Sequence, residues 1–186
     1  AIALAYNYHE DINVIRNGSA VKAESPIPPG VAGFDPAFHS SQATYDPARA
    51  RALLDMYGYI DRDGDGYREF PDGRPLVIEM GSQPDNTSKQ FDQLWSKNLD
   101  AVGLKVKFRV AKWPDLNKQA KLGKLPMWQL AWSADYPDGD NFTQLLYSKN
   151  IGESNNGCYK SPAYDKLYEQ SAVLPDGPER DQLYLE

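Results

Sequence analysis

A tryptophan and an aspartate three residues apart have the types and spacing best suited to binding an organic ligand. Trp132-Ser-Ala-Asp135 follows an apolar run that begins at Met127, and an acidic segment continues to Asp138. An aspartate carboxylate pairs with a ligand ammonium group, while aromatic rings pack against the apolar part of the ligand. The residues alone also allow a structural alternative, in which Trp132 belongs to the core and Asp135 caps the next helix.

A group of carboxylates that could bind a cation lies in an acidic turn. Their spacing matches an EF-hand calcium loop, with carboxylates at positions 1, 3, 5, 9 and 12 and glycine at position 6. These carboxylates belong to Asp61, Asp63, Asp65, Glu69 and Asp72. The loop departs from the pattern because Arg68 replaces an apolar residue, Asp72 replaces the bidentate glutamate, and Pro71 with a predicted strand replaces the exit helix. The residues favour a tight Asp/Gly turn whose carboxylates bond nearby backbone amides. A calcium-binding structural module remains the alternative.

Residues suited to catalysis are few. The chain has two histidines, His9 and His39, and one cysteine, Cys158, which are too few for a zinc site. It has no Gly-x-Ser-x-Gly motif and no glycine-rich phosphate loop after a strand. We therefore predict no catalytic residue, no metal and no cofactor. A glycoside hydrolase using the carboxylates of Asp135 and Asp138 is the second alternative.

Composition narrows the function classes further. The chain has 186 residues, of which 41% are hydrophobic, and a net charge of −6. This length suits one domain with a real core, or a large piece of a two-lobed protein. An acidic chain repels phosphate backbones, so no nucleic acid is expected as a partner. No apolar run reaches about 18 residues, so no membrane insertion is expected. Neither end carries a clear helix boundary signal, so both are expected to be cut from a longer protein.

The elements that position these residues alternate between helices and strands. The predicted helices are 2–16, a helix from Asp46-Pro47 to Gly58, one from 85–88 to Gly103, one at 114–123, and helices starting at Asn141, Ser161-Pro162 and Pro178. The predicted strands are 75–81, 105–110 and 127–132. This order indicates a small α/β sheet with right-handed crossovers. Trp132 and Asp135 would then lie at the end of a buried strand, where open α/β sheets bind ligands.

Six motifs occur in a fixed order along the chain. They are Ala-Leu-Ala-Tyr-Asn at 3–7, Pro-Ile-Pro-Pro-Gly at 26–30, Tyr-Asp-Pro-Ala-Arg-Ala-Arg-Ala-Leu-Leu at 45–54, Gly-Tyr-Ile-Asp-Arg-Asp-Gly-Asp-Gly at 58–66, Trp-Ser-Ala-Asp-Tyr-Pro-Asp at 132–138 with Asn-Phe at 141–142, and Tyr-Lys-Ser-Pro-Ala-Tyr-Asp at 159–165. Together they resemble the C-terminal lobe of the extracytoplasmic solute-binding proteins of ABC importers, family 5. This is the peptide/nickel family, which includes the oligopeptide- and dipeptide-binding proteins.

The resemblance covers nearly the whole chain and implies a fold. That fold is α/β, one lobe of a two-lobed, class II-like periplasmic binding protein, with a small mixed sheet flanked by helices. Residues 1–186 would be a C-terminal lobe fragment, and the N-terminal lobe with the rest of the pocket would lie outside this chain. The acidic turn at 61–66 recurs in the family mostly as a structural turn, which counts against calcium.

The resemblance also implies a site and partners. In peptide-binding members, the aspartate of the Trp-x-x-Asp motif pairs with the free α-amino group of the peptide, and the tryptophan lines the pocket. Here these positions are Trp132 and Asp135. Beyond the resemblance, we predict Tyr136 as a further packing surface and Asn141 and the 150–160 loop as residues of the rim. The implied protein is a periplasmic or membrane-tethered extracellular monomer, not an enzyme, that passes a peptide or small solute to a membrane permease. The resemblance leaves open whether the solute is a peptide, nickel complex, sugar, opine or haem.

Overall fold

The chain divides into two units in the computed structural model, which describes residues 1–41 and 43–186. The first unit comprises residues 1–22, 40–116 and 125–129, and the second comprises residues 23–39, 117–124 and 130–186. Among the described residues, no helix combines the length and the apolar character needed to cross a bilayer.

A parallel pair of strands carries the core of the first unit. The elements, in chain order, are α1 (Ile2–Ala5), α2 (Tyr8–Glu10), a π-helical turn (Asp11–Ile15), α3 (Pro47–Met56), β1 (Val77–Ser82), α4 (Asn86–Asp100) and β2 (Lys105–Val110). Helix α5 (Trp113–Lys121) follows, with residues 113–116 in the first unit and 117–121 in the second. Strand β1 pairs in parallel with β2, in a register that runs from Val77 opposite Lys105 to Ser82 opposite Val110. Helix α4 connects the two strands, as a parallel pair requires.

The core of the first unit forms where α1, α3 and the C-terminal end of α4 meet. Its buried side chains are Leu4, Ala5, Ala50, Leu54, Leu99, Val102 and Leu104. Ile78 and Val106, one from each strand, pack against this cluster. Burial of each large aliphatic side chain contributes about 1.5–3 kcal/mol to the stability of the unit.

Helix starts in the first unit follow the capping signals of the sequence. The carboxylate of Asp46 accepts a hydrogen bond of 2.8 Å from the amide of Arg49, and Pro47 opens α3. The carboxylate of Asp85 accepts one of 2.8 Å from the amide of Ser88, which starts α4. These bonds satisfy amides that have no partner inside the helix, and they confirm the predicted starts.

Two predicted elements are wrong. The single helix expected at 2–16 is interrupted, because Tyr6 is extended and the side chain of Asn7 caps a new turn by accepting from the amide of Glu10. The strand expected at 127–132 reduces to one bridge, in which the amide of Gly81 donates to the Met127 carbonyl at 2.9 Å. A short apolar run does not by itself specify a strand, which explains the second error. The α/β prediction is confirmed, although the described strands run parallel where a mixed sheet was expected.

The second unit is helical and irregular. Its elements are α6 (Asp140–Thr143), two 3₁₀ turns (Gln144–Leu146 and Ser148–Asn150), α7 (Pro162–Val173) and α8 (Pro178–Leu185). The hydroxyl of Ser161 caps α7 by accepting from the amide of Tyr164 at 3.3 Å, as the Ser-Pro signal predicts. Helices α7 and α8 pack against each other, and α6 packs against α7. Residues 130–139, which carry the Trp-x-x-Asp motif, form an irregular segment that leads into α6.

Candidate functional site

Asn141 is the residue at which the predicted site residues meet. It lies in α6 and has an exposed fraction of 0%. The indole Nε1 of Trp132 donates a hydrogen bond of 2.8 Å to Asn141 Oδ1, and the backbone amide of Asp135 donates to the same oxygen at 3.4 Å. Asn141 Nδ2 in turn donates to Asp135 Oδ2 at 3.4 Å. One buried amide therefore holds both ends of the Trp-x-x-Asp motif.

Trp132 and Asp135 themselves lie on the surface of the second unit. Trp132 is 37% exposed, and Asp135 is exposed as well. The bond from Asn141 to the Asp135 carboxylate is long, and within the described part of the chain no cationic side chain forms a salt bridge with that carboxylate. The side chain that orients this carboxylate is therefore the neutral amide of Asn141.

Tyr136 extends the exposed aromatic surface next to Asp135. It is 45% exposed, and its hydroxyl donates a hydrogen bond of 2.8 Å to Asp140 Oδ2. The hydrogen bond to Asp140, with a smaller effect of burial, raises the pKa of Tyr136 above its ordinary value. The hydrogen bond to Asp140 ties the end of the exposed Tyr136 ring to α6.

Asp138, in contrast, is occupied by contacts within the second unit. Its Oδ2 accepts from Arg180 Nη1 at 2.7 Å. Its Oδ1 accepts from the Tyr184 hydroxyl and from the Asp140 amide, both at 2.8 Å. Both carboxylate oxygens are engaged, so the glycoside hydrolase alternative, which needs a free second carboxylate beside Asp135, gains no support.

The site is built on a loop and not on a strand. The expected position at the end of a buried strand is wrong, because 130–139 has no strand and Asn141 of α6 supplies the support instead. The partners of Asp138 were also missed by the sequence analysis. Arg180 and Tyr184 lie 42 and 46 residues further along the chain, and no motif or periodicity links them to the loop.

The acidic turn brings part of the calcium-loop pattern together. Carboxylate oxygens of four of the five predicted residues lie within 4.8 Å of one another, namely those of Asp61, Asp63, Asp65 and Glu69. Asp72 instead forms an ion pair of 2.8 Å with Arg74. Asp61 accepts from the amides of Gly64 and Gly66 at 2.7 and 3.0 Å, and the buried Glu69 accepts from the amide of Arg62 at 2.7 Å. These bonds are those of the tight Asp/Gly turn that the sequence favours.

The chain also matches a known family. The model of the bacterial extracellular solute-binding proteins, family 5 (middle region), matches residues 1–154. The chain belongs to this family. The match takes in the Trp-x-x-Asp motif and Asn141, and it confirms the resemblance seen in the order of the sequence motifs.

Relatives of this family 5 chain are named for different ligands. Over 185 residues, the chain is 29% identical to the heme-binding protein A of Haemophilus influenzae, covering 97% of this chain and 32% of that protein. Over 189 residues, it is 28% identical to the di/tripeptide-binding protein 2 of Pseudomonas aeruginosa, covering 100% of this chain and 33% of that protein. The chain therefore spans about a third of the length of the curated relatives that it matches.

A solved structure shows the same fold. The ABC transporter-associated periplasmic binding protein DppA of Helicobacter pylori, in complex with the peptide STSA, is 28% identical with a TM-score of 0.82. The similarity covers 99% of this chain and 34% of that one. The fold of this chain is thus that of part of a periplasmic binding protein of family 5.

Proposed function

We propose that the full-length protein binds peptides or amino-acid-like cations outside the cytoplasm and delivers them to the permease of an ABC importer. The observation that carries this proposal is the arrangement of Trp132 and Asp135 on the buried Asn141. A carboxylate that forms no salt bridge within the described residues, next to exposed aromatic rings, fits an ammonium group attached to an apolar body. Family membership supports a role in transport, and the proposal includes no catalytic step.

Each site residue has a separate role in this proposal. Asp135 pairs with the ligand ammonium, and the rings of Trp132 and Tyr136 pack against the ligand. Asn141 is fully buried, so its proposed role is to orient the other residues and not to touch the ligand. The indole N–H of Trp132 is already used by Asn141, so Trp132 offers the ligand its ring faces only.

The remaining parts of the proposal concern the whole protein. We propose that residues 1–186 belong to the C-terminal lobe and that a second lobe completes the pocket. The protein would act as a monomer in the periplasm, or outside a Gram-positive cell on a membrane tether. Relatives named for peptides support peptides as the class of solute. The exposed Asp135 carboxylate supports a solute with a free ammonium group.

Replacing Asp135 with asparagine in the full-length protein tests the proposal. Asp135→Asn keeps the size of the side chain and removes its charge, so the affinity for trialanine should fall by about 2–5 kcal/mol. Isothermal titration calorimetry measures this change. Glu153→Gln is the matched control, because Glu153 is an exposed carboxylate of the same unit with no side-chain hydrogen bond among the described residues. Equal affinities of the wild-type protein and Asp135→Asn would refute the proposed role of Asp135.

A further inference from the structure

Arg180 joins three parts of the second unit and has no role in the function proposed above. It lies in the first turn of α8. Its Nη1 donates to Asp138 Oδ2 and to Asp176 Oδ1, both at 2.7 Å, and its Nε donates to the carbonyl of Ser171 at 3.0 Å. The side chains of Arg180 and Asp138 are only 13% and 18% exposed. Solvent therefore screens this ion pair less than it screens a surface pair.

Tyr184 reaches the same carboxylate from the next turn of α8. Its hydroxyl donates to Asp138 Oδ1 at 2.8 Å. Burial and the bond to Asp138 raise the pKa of Tyr184 above its ordinary value. Its ring lies against Gly139, where an added β-carbon would be 3.1 Å from the ring and 2.9 Å from the carbonyl oxygen of Ala32. Helix α8 thus binds the Asp138 carboxylate and packs against the backbone at Gly139.

The anchored carboxylate belongs to the turn that places Asn141. The backbone amide of Asn141 donates to the carbonyl of Asp138 at 3.1 Å, and the amide of Asp140 donates to Asp138 Oδ1 at 2.8 Å. Asn141 then holds Trp132 and Asp135 as described above. A continuous series of hydrogen bonds therefore runs from α8 through Asp138 and Asn141 to the proposed ligand contacts.

We propose that Arg180 and Tyr184 are positioning residues of the binding site, which fix Asp138 and through it the orientation of Trp132 and Asp135. This inference rests on the proposed function, because its purpose is recognition of the ligand ammonium. An ion pair is strong only when both groups are held in the right geometry. A looser loop therefore weakens the ion pair with the ligand ammonium more than it weakens the apolar packing against the ligand.

Three substitutions in the full-length protein test the inference. Arg180→Met removes the ion pair, Tyr184→Phe removes only a hydroxyl, and Arg180→Lys keeps a charge near Asp138 without the planar fork. Arg68→Met is the matched control, since Arg68 is also an internal arginine, 12% exposed, that bonds Asp55 and two backbone carbonyls. Arg68 belongs to the first unit and bonds no residue of 130–142.

Two measurements separate positioning from simple stability. The first is the hydrogen-exchange rate of the Trp132 indole proton in the unliganded protein with ¹⁵N-labelled tryptophan, assigned with Trp132→Phe. The second is the ratio of affinities for trialanine and N-acetyl-trialanine. Arg180→Met should accelerate the exchange and lower the ratio by about tenfold each. Tyr184→Phe should act in the same direction to a smaller extent, and Arg180→Lys should restore part of both.

The outcomes distinguish this inference from the proposed function. The inference is overturned if Arg180→Met and Tyr184→Phe leave the indole exchange at the wild-type rate. It is also overturned if they change this rate no more than Arg68→Met does when the melting temperature falls by a similar amount. If the wild-type protein binds no trialanine, the peptide-binding form of the proposed function fails, while indole exchange still decides whether α8 orders the loop. Faster exchange together with an unchanged affinity ratio would also overturn the inference, because the loop would then move without affecting recognition.

Discussion

At the scale of single residues, the buried side chain of Asn141 holds the Trp-x-x-Asp motif in place by hydrogen bonds. Burying a polar group lowers the free energy of unfolding unless the group forms hydrogen bonds. The amide oxygen of Asn141 accepts from the Trp-x-x-Asp motif, and its amide nitrogen donates to the same motif. The motif could be predicted from sequence because its two residues are close along the chain. Its support by Arg180 and Tyr184 could not be predicted, because contacts between distant residues leave no local pattern.

Replacing Asn141 tests this supporting role. Asn141→Ala leaves the indole N–H of Trp132 without its internal acceptor and opens a small void. The free energy of unfolding in urea should fall by about 1–3 kcal/mol, and the affinity for trialanine should fall as well. Asn86→Ala is a suitable control, because Asn86 is exposed and has no side-chain hydrogen bond among the described residues. Equal stability losses in the two variants would contradict a special role for Asn141.

At the scale of elements, local signals predicted helix starts well and extended segments less well. Asp46, Asp85 and Ser161 each cap a helix where the sequence indicates. Capping depends on a few neighbouring residues, so it can be recognised locally. The segment 127–132 was wrongly predicted as a strand, since strand formation depends on a partner from another part of the chain.

The cap of α4 gives stability a defined pH dependence. Hydrogen bonds from the backbone and side chain of Ser88 hold the pKa of Asp85 below its ordinary value of 3.8. A carboxyl group whose folded-state pKa is lowered stabilises the fold above its unfolded pKa, and this contribution is lost as the pH falls through the folded pKa. Asp85→Asn keeps a capping oxygen without a charge, so wild-type stability should fall more steeply than that of the variant between about pH 6 and pH 2. Parallel urea-denaturation profiles across this range would contradict the assignment.

At the scale of the whole molecule, the order of motifs predicted the family, and the family match confirms it. The α/β fold follows from the same order of elements. The solute is harder to predict, because Trp132, Asp135 and Tyr136 specify one charge contact and two aromatic surfaces at most. Relatives with this fold are named for heme and for peptides, so fold alone does not select a ligand. We propose that the Asp135 carboxylate selects among them.

Native mass spectrometry of the full-length protein as purified tests the central claim most directly. We expect the wild-type protein to retain a ligand with a free α-amino group, identified by its mass and fragmentation after release. Asp135→Asn, purified in the same way, should retain much less of it, since the ion pair that holds the ammonium is lost. Retention of a ligand without an amino group by the wild-type protein, or equal occupancy in both proteins, would contradict the account.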